Sequence, residues 1–408
     1  MVRRLRDGIP PTVVALGLVS FLTDLSSDMI YPLVPVFLQS ELGATAAALG
    51  LIEGLAESTA SISKVLSGLW TDRIRRRKPF VLVGYGLAGA VRPLMGFATS
   101  WVHVASVRVV DRLGKGLRTS PRDALIADVT SEEHRGAAYG LHRAMDDAGA
   151  LLGPVVAAVL VGAGLGLRGV FWLAVIPAVV VVAVIVVAVR EPPGRRSGSG
   201  GRVEPIRWGW REMGRDYWWL LAAVFVFTLG NSADAFLLLR LSDAGVTAAG
   251  VALLWGLLNG VKMIASVLGG RLSDLLGRKP LELSGWAVYA LVYGGMAVFT
   301  SLPVLVGLFL VYGISFGLTE PVERAWVAGL VPERLRGSAF GYYHAAVGLG
   351  ALPASVIFGG VWVTTGPGAA FLLGATLAGI AATMLIRVPD PGPRAASVAR
   401  RGPRTTPM

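Results

Sequence analysis

A short charged turn set between long apolar runs occurs twice in this chain, about two hundred residues apart. The stretch Gly68-Leu-Trp-Thr-Asp72-Arg-Ile-Arg-Arg-Arg-Lys-Pro79 returns as Gly270-Arg-Leu-Ser-Asp274-Leu-Leu-Gly-Arg-Lys-Pro280. Such a turn cannot rest in hydrocarbon, so it marks where the chain leaves an apolar layer and re-enters it. Its recurrence at half the chain length predicts a duplicated bundle.

The medium follows from composition. Of 408 residues, 54% are hydrophobic and only 16% charged, and the mean hydropathy is +0.63. A soluble domain keeps far more polar surface, so the expected partner is a lipid bilayer. A net charge of +12 would point a soluble chain to nucleic acid. Here the basic residues cluster in short loops and tails, so the charge is read as topology and no nucleic-acid partner is expected. The absence of cysteine excludes disulfide and thiolate chemistry. Met1-Val-Arg-Arg-Leu-Arg precedes an apolar run that Asp24 and Asp28 interrupt, with no small-residue cleavage site after it. The run is therefore expected to be retained as a first span rather than removed as a signal.

Crossing a hydrocarbon core of ~30 Å takes roughly twenty helical residues. Windows of that kind lie near 12–38, 45–70, 79–99, 102–126, 137–163 and 168–189, and again near 217–240, 246–272, 281–299, 302–328, 338–363 and 368–387. The expected fold is an all-α membrane protein of twelve transmembrane helices in two pseudo-symmetric six-helix bundles. Residues 1–189 form the first bundle, 190–216 a linker, 217–387 the second bundle and 388–408 a tail. Arg190-Glu-Pro-Pro-Gly-Arg-Arg-Ser-Gly-Ser-Gly-Gly-Arg202 reads as a flexible connection, and Trp208, Trp210, Trp218 and Trp219 as an interfacial approach to the seventh span.

Arg3, Arg4 and Arg6, the 73–78 run, Arg135, the linker arginines, Arg278 with Lys279, Arg334 with Arg336, and the tail arginines all fall on alternate connections, while the opposite loops hold mainly Arg168 and Arg240. The positive-inside rule places both termini and the linker in the cytoplasm, with an inner or plasma membrane as the location.

The halves match elsewhere too. Arg135-Gly-Ala-Ala-Tyr-Gly140 corresponds to Arg336-Gly-Ser-Ala-Phe-Gly341, and Arg118-Thr-Ser-Pro121 to Leu318-Thr-Glu-Pro321. With these matches the chain resembles the major facilitator superfamily along essentially its whole length. Both charged turns are similar to the family pattern Gly-x-Leu-x-Asp-Arg-x-Gly-Arg-Lys, with Arg75 in place of its Gly and Leu275 in place of its basic residue. Arg112-Leu-Gly-Lys-Gly116 resembles the family's fourth-helix signature. Gly149-Ala-Leu-Leu-Gly153-Pro154 resembles its antiporter motif, although small residues at this spacing also serve close helix packing. Asp28-Met-Ile-Tyr-Pro32-Leu-Val-Pro35 looks like the first helix of the drug–proton antiporter branch.

Ionisable groups within the spans are the candidate functional residues, because each is costly there unless it faces water or a partner. The fourth span carries Arg108, Asp111, Arg112, Lys115, Arg118, Arg122 and Asp123 on one helical face. Asp24 with Asp28 and Glu53 with Glu57 are i,i+4 pairs. Two carboxylates so placed cannot both ionise cheaply, as a proton carrier requires. The expected proton-coupling set is Asp24, Asp28, Glu53, Glu57, Arg112, Asp146 and Asp147. The bland reading is a self-satisfied salt-bridge network. Expected substrate contacts are Arg92, Lys115 and Arg118, joined in the sparser second half by Asn231, Asp234, Trp255, Asn259, Lys262 and Tyr289. Aromatic residues in such helices also serve as packing or interface anchors.

By the resemblance, Asp72 and Asp274 are expected to meet the N-terminal ends of the eleventh and fifth spans as a gate, with Arg73, Arg76, Arg278, Lys279, Arg135 and Arg336 around them. Those basic residues serve equally as topology anchors. Four dispersed histidines make no metal site, and no nucleophile–base set or phosphate-cradling loop is evident. The expectation is a monomeric, cofactor-free secondary transporter, not an enzyme: a proton antiporter exporting small organic molecules. Its competitors are a carrier of organic or phosphorylated anions on the fourth-span basic stripe, and a non-transporting receptor or scaffold.

Overall fold

The computed structural model describes residues 9–34, 37–38, 41–43, 46–74, 76–191, 209–231, 234–246 and 248–390. The linker beyond Glu191, Trp208, Arg3, Arg4, Arg6, Arg75 and the tail beyond Asp390 lie outside the described residues, as does the side chain of Glu53. In the first half the α-helices are α1 Pro11–Ile30, α2 Ala46–Ile74, α3 Lys78–Val91, α4 Trp101–Val129, α5 Arg135–Gly162, α6 Leu167–Leu173 and α7 Val175–Ala188. In the second they are α8 Gly214–Gly230, α9 Ala235–Asp243, α10 Ala248–Leu276, α11 Arg278–Val298, α12 Leu302–Leu330, α13 Arg336–Thr365 and α14 Pro367–Leu385.

The departures from smooth spans have local causes. Proline lacks an N–H and disturbs the helix ladder. Accordingly, α1 passes into a 3₁₀ turn at Tyr31–Leu33 around Pro32, and α3 into another at Arg92–Phe97 around Pro93. The sixth span is α6 and α7 in near-continuity through Ala174. The seventh was expected to be one helix over 217–240; instead α8 stops at Gly230 and the chain resumes as α9.

Among the described residues, nine helical segments are long and apolar enough to cross a bilayer. The other three of the twelve expected spans fall short for separate reasons. The break after Gly230 leaves α8 with 17 residues. Helices α2 and α4 have 29 residues each but are interrupted by charge, and these two pack directly on one another.

Packing repeats between the halves. Helix α1 lies on α5 and α7, α2 on α4, and α3 on α4 and α7; correspondingly α8 lies on α13 and α14, α10 on α12, and α11 on α12 and α14. The halves join chiefly where α5 meets α10 and α2 meets α13. The second half has an aromatic core, with Phe227 stacked on Trp286 at 4.7 Å between ring centres and Tyr289 on Tyr293 at 4.1 Å.

Candidate functional site: a charged interior and its closed end

Two glycines determine how near the charged helices come. A Cβ on Gly149 would sit 2.4 Å from the carbonyl oxygen of Phe21, and one on Gly153 2.8 Å from Asp28 Cβ. Helix α5 therefore meets α1 at backbone distance beside Asp24 and Asp28. Pro154 continues this stretch inside α5. The approach brings the Asp146 carboxyl into hydrogen-bonding contact with that of Asp24, with Asp28 beside them and Lys115 of α4 facing the group. Ser20 Oγ donates to Asp146. Two ionised carboxylates have no hydrogen to donate, so a proton shared between Asp24 and Asp146 would satisfy this contact.

Helix α4 and the end of α3 supply the positive charge. Arg92 donates from Nε to Asp111 at 2.8 Å and from Nη1 to the Thr23 carbonyl at 2.9 Å, tying α3, α4 and α1 together. Arg108 lies over the Tyr31 ring at 4.8 Å, and the buried Arg118 over Tyr85 at 4.2 Å. Arg112 is half-buried, whereas Lys115 and, on the facing helix, Glu57 are exposed. Glu57 is surrounded by Lys64, Lys115, Arg112 and Arg108. Its nearest described charges are thus basic groups, in contrast to the carboxyls around Asp24.

One end of the bundle carries both charged turns and is closed. Asp72 accepts the Gly337 N–H at 2.9 Å and the Ser338 hydroxyl at 2.6 Å, so it caps the first turn of α13. Asp274 accepts the Gly136 N–H at 2.9 Å and the Ala137 N–H at 2.7 Å, capping α5. Helix starts present unpaired N–H groups and a positive dipole end, which a carboxylate satisfies. Beyond the caps the symmetry fails. Arg77 pairs with Asp72 at 2.7 Å and approaches Asp128 at 3.5 Å, while Arg336 of the other half donates to Asp128 at 2.8 Å. Ala328 occupies the corresponding place in the second half. Among the described residues, the buried Arg278 there reaches the Glu132 carbonyl and carboxyl, at 3.5 and 3.9 Å, and the buried Arg135 forms no ion pair. Arg73 and Arg76 are exposed, and Lys279 donates from its backbone to Asp390 at 3.1 Å. A cleft of about 390 Å³ lined by His134, Arg271 and Asp274 opens beside the second cap, at this end and away from the carboxyl group.

In the second half, the break after α8 exposes Asn231 and Asp234 to the interior of the bundle. Tyr312 donates to Asp234 at 2.7 Å and to the Asn231 side chain at 3.3 Å, and Lys262 pairs with Asp234 at 3.3 Å. Lys262 also lies over Phe316 at 4.0 Å and Trp255 at 5.4 Å, with Asn259 buried one turn before it. Tyr289 packs behind this group, its ring centre 6.0 Å from that of Tyr312. It is buried, and its hydroxyl donates to the Gly230 carbonyl at 2.8 Å, satisfying the free end of α8. Across the halves, Arg143 of α5 joins Asp146 at 3.1 Å and Asp147 at 3.0 Å to Glu320 of α12 at 2.8 Å. Asp123 of α4 meets His344 of α13 at 2.9 Å.

The family model described as Major Facilitator Superfamily matches residues 16–261 and 236–407. The chain belongs to the Major Facilitator Superfamily. An uncharacterized MFS-type transporter of Methanocaldococcus jannaschii is 33% identical over 92% of this chain and 94% of its own length. Multidrug resistance protein MdtH of Edwardsiella ictaluri is 25% identical over 79% of each chain. The human organic anion transporter MFSD10 superposes with a TM-score of 0.76, at 17% identity over 92% of this chain and 99% of its own. The proton:xylose symporter XylE superposes with a TM-score of 0.75, at 18% identity over 95% and 97%. At these identities the two solved structures speak to the fold alone. This member of the superfamily is a multi-pass membrane transporter, and members of the family take small-molecule substrates.

Several residues that organise this superfamily member were not singled out from sequence. Asp128 is the clearest, since it joins Arg77 to Arg336; aligning Pro121 with Pro321 sets it against Ala328, an asymmetry that marks it. Arg143 beside Asp146 and Asp147 is visible as an i,i+3 and i,i+4 set, but its third partner, Glu320, comes from the other half.

Proposed function

We propose that the protein is a proton-coupled antiporter that exports small organic molecules by alternating access, with its closed basic end toward the cytoplasm. The carboxyl contact between Asp24 and Asp146 carries this reading. It lies on the α1–α5 seam next to Asp28 and Lys115, so a change in the packing of α5 on α1 alters proton affinity directly. The glycines that make the seam belong to the stretch resembling the antiporter motif, and one relative is named a multidrug resistance protein. Glu57, Lys115 and Arg112 offer the adjoining substrate surface, and Asp234, Lys262 and Trp255 the opposing one.

Flux into proteoliposomes under an imposed pH gradient, with matched cationic and anionic solutes, tests the proposal. Uptake should follow the gradient in the native protein and lose that dependence in Asp24→Asn. Native flux indifferent to pH removes proton coupling. A second reading, carriage of an organic anion, rests on the exposed Lys115 beside Arg112. Faster flux of the anionic solute, lost in Lys115→Gln, selects it.

A further inference from the structure

The second half contains a buried acidic pair that the charged interior does not use. Glu282, in the first turns of α11, is 0% exposed, and Glu323 on α12 is 6% exposed. Their carboxyls lie in hydrogen-bonding contact, with the Trp286 indole next to Glu282. Among the described residues no N–H or O–H donor reaches either oxygen of Glu282 with full hydrogen-bond geometry. On the far side of Glu323, the Tyr343 hydroxyl of α13 donates to its Oε2.

The surrounding cations are committed elsewhere. Arg324, next to Glu323 in sequence, turns to Asp123 of α4 at 3.8 Å and to Glu320 at 3.7 Å, and Glu320 is held by Arg143 of α5. At the start of α11, Lys279 donates to the Ile386 carbonyl and to Asp390, and Arg278 faces Glu132. Among the described residues no basic side chain forms an ion pair with Glu282 or Glu323. An unpaired buried carboxylate is strongly disfavoured, and two touching carboxyls without a proton have no donor between them and no counter-charge.

We propose that Glu282 and Glu323 form a proton-binding site in the second half, occupied while the basic end is closed and emptied when the halves part. The link runs through α13. Tyr343 is tethered to Glu323, and the next residue, His344, holds Asp123 of the first half at 2.9 Å. Parting the halves breaks the His344–Asp123 contact and admits water beside Glu323, which stabilises the ionised pair. By linkage, a proton bound only in the closed form favours closure as pH falls and opening as pH rises. This site is separate from the Asp24–Asp146 contact, and its occupancy is independent of what the first half carries.

Infrared spectra of the purified full chain test occupancy. At neutral pH a protonated-carboxyl band that shifts in D2O should lose intensity in both Glu282→Gln and Glu323→Gln, the amide standing in for the neutral acid without a large change of shape. Intensity unchanged in both variants, or lost only in Asp24→Asn, overturns the site and leaves the first-half reading untouched. The link is read separately on a chain that has no native cysteine. Spin labels at Glu133→Cys and Leu275→Cys, exposed positions on the two halves at the basic end, should separate as pH rises. In the Glu323→Gln background the short distance should persist at every pH. A native distance indifferent to pH, or a pH response kept in the variant, overturns the link.

Discussion

Asp72 in the first half accepts the backbone N–H of Gly337 in the second at 2.9 Å, so a side chain at the end of one helix caps the start of another across the molecule. Asp274 does the same for Gly136. A hydrogen bond to a charged group contributes about 1.5–3 kcal/mol. Two such caps hold the end closed firmly, yet each is weak enough for a conformational cycle to break.

Asp72→Asn removes the charge but not the shape. It should destabilise the closed end by about 2 kcal/mol, near 30-fold in the closed-to-open ratio, and slow transport while expression and folding persist. Asp274→Asn should do less, because Asp72 also anchors Arg77 at 2.7 Å. Cross-linking yield between cysteines at Glu133 and Leu275 reads the ratio; equal yields in native protein and Asp72→Asn would end the latch role.

Asp128 joins Arg77 and Arg336, and its partners are both buried. Asp128→Asn leaves Arg336 without its carboxylate and Arg77 with Asp72 alone, a loss of about 3 kcal/mol or more when a buried pair is broken. The expected result is a lower thermal midpoint together with lower cross-linking at the basic end. An unchanged midpoint would show that the two arginines find other partners.

Gly149 has no room for a side chain, whereas a Cβ on Gly162 meets nothing within 4 Å. Gly149→Leu should overpack the α1–α5 seam by about 1–3 kcal/mol, lowering the thermal midpoint and abolishing pH-driven flux. Gly162→Ala should leave both close to native. Matching effects at the two positions would contradict the proposed seam.

If Asp24 and Asp146 share one proton, either substitution to Asn should remove the same pH dependence of flux. The double variant should add little, since coupled sites titrate as a pair. Additive losses would mean two separate protons. Asp147→Asn should instead act through Arg143, which it meets at 3.0 Å, and alter the rate without abolishing the dependence.

The duplicated plan was legible in the chain because membrane helices announce themselves by length and apolarity, and the charged turns by their repetition. Apolar length alone stops at nine segments, since α2 and α4 carry the charges and α8 is cut at Gly230. The break itself was hidden, because nothing in the run around Asn231 and Asp234 says whether they end a helix or face a partner. Tyr312 and Lys262, which receive them, lie about thirty to eighty residues away.

The candidate site divides in the same way. Sequence by itself determined which helices carry charge, which residues share a face, and that the two turns are copies. Such features depend only on the helical period and on the cost of charge in hydrocarbon. Tertiary structure decided the partners. It set Asp24 against Asp146 of α5, surrounded Glu57 with basic groups, gave Asp128 the arginines of both halves, and joined Glu282 to Glu323. Each of these contacts links separate helices. Their distances depend on how closely backbones approach, at Gly149 and Gly153 above all, and no local pattern encodes that.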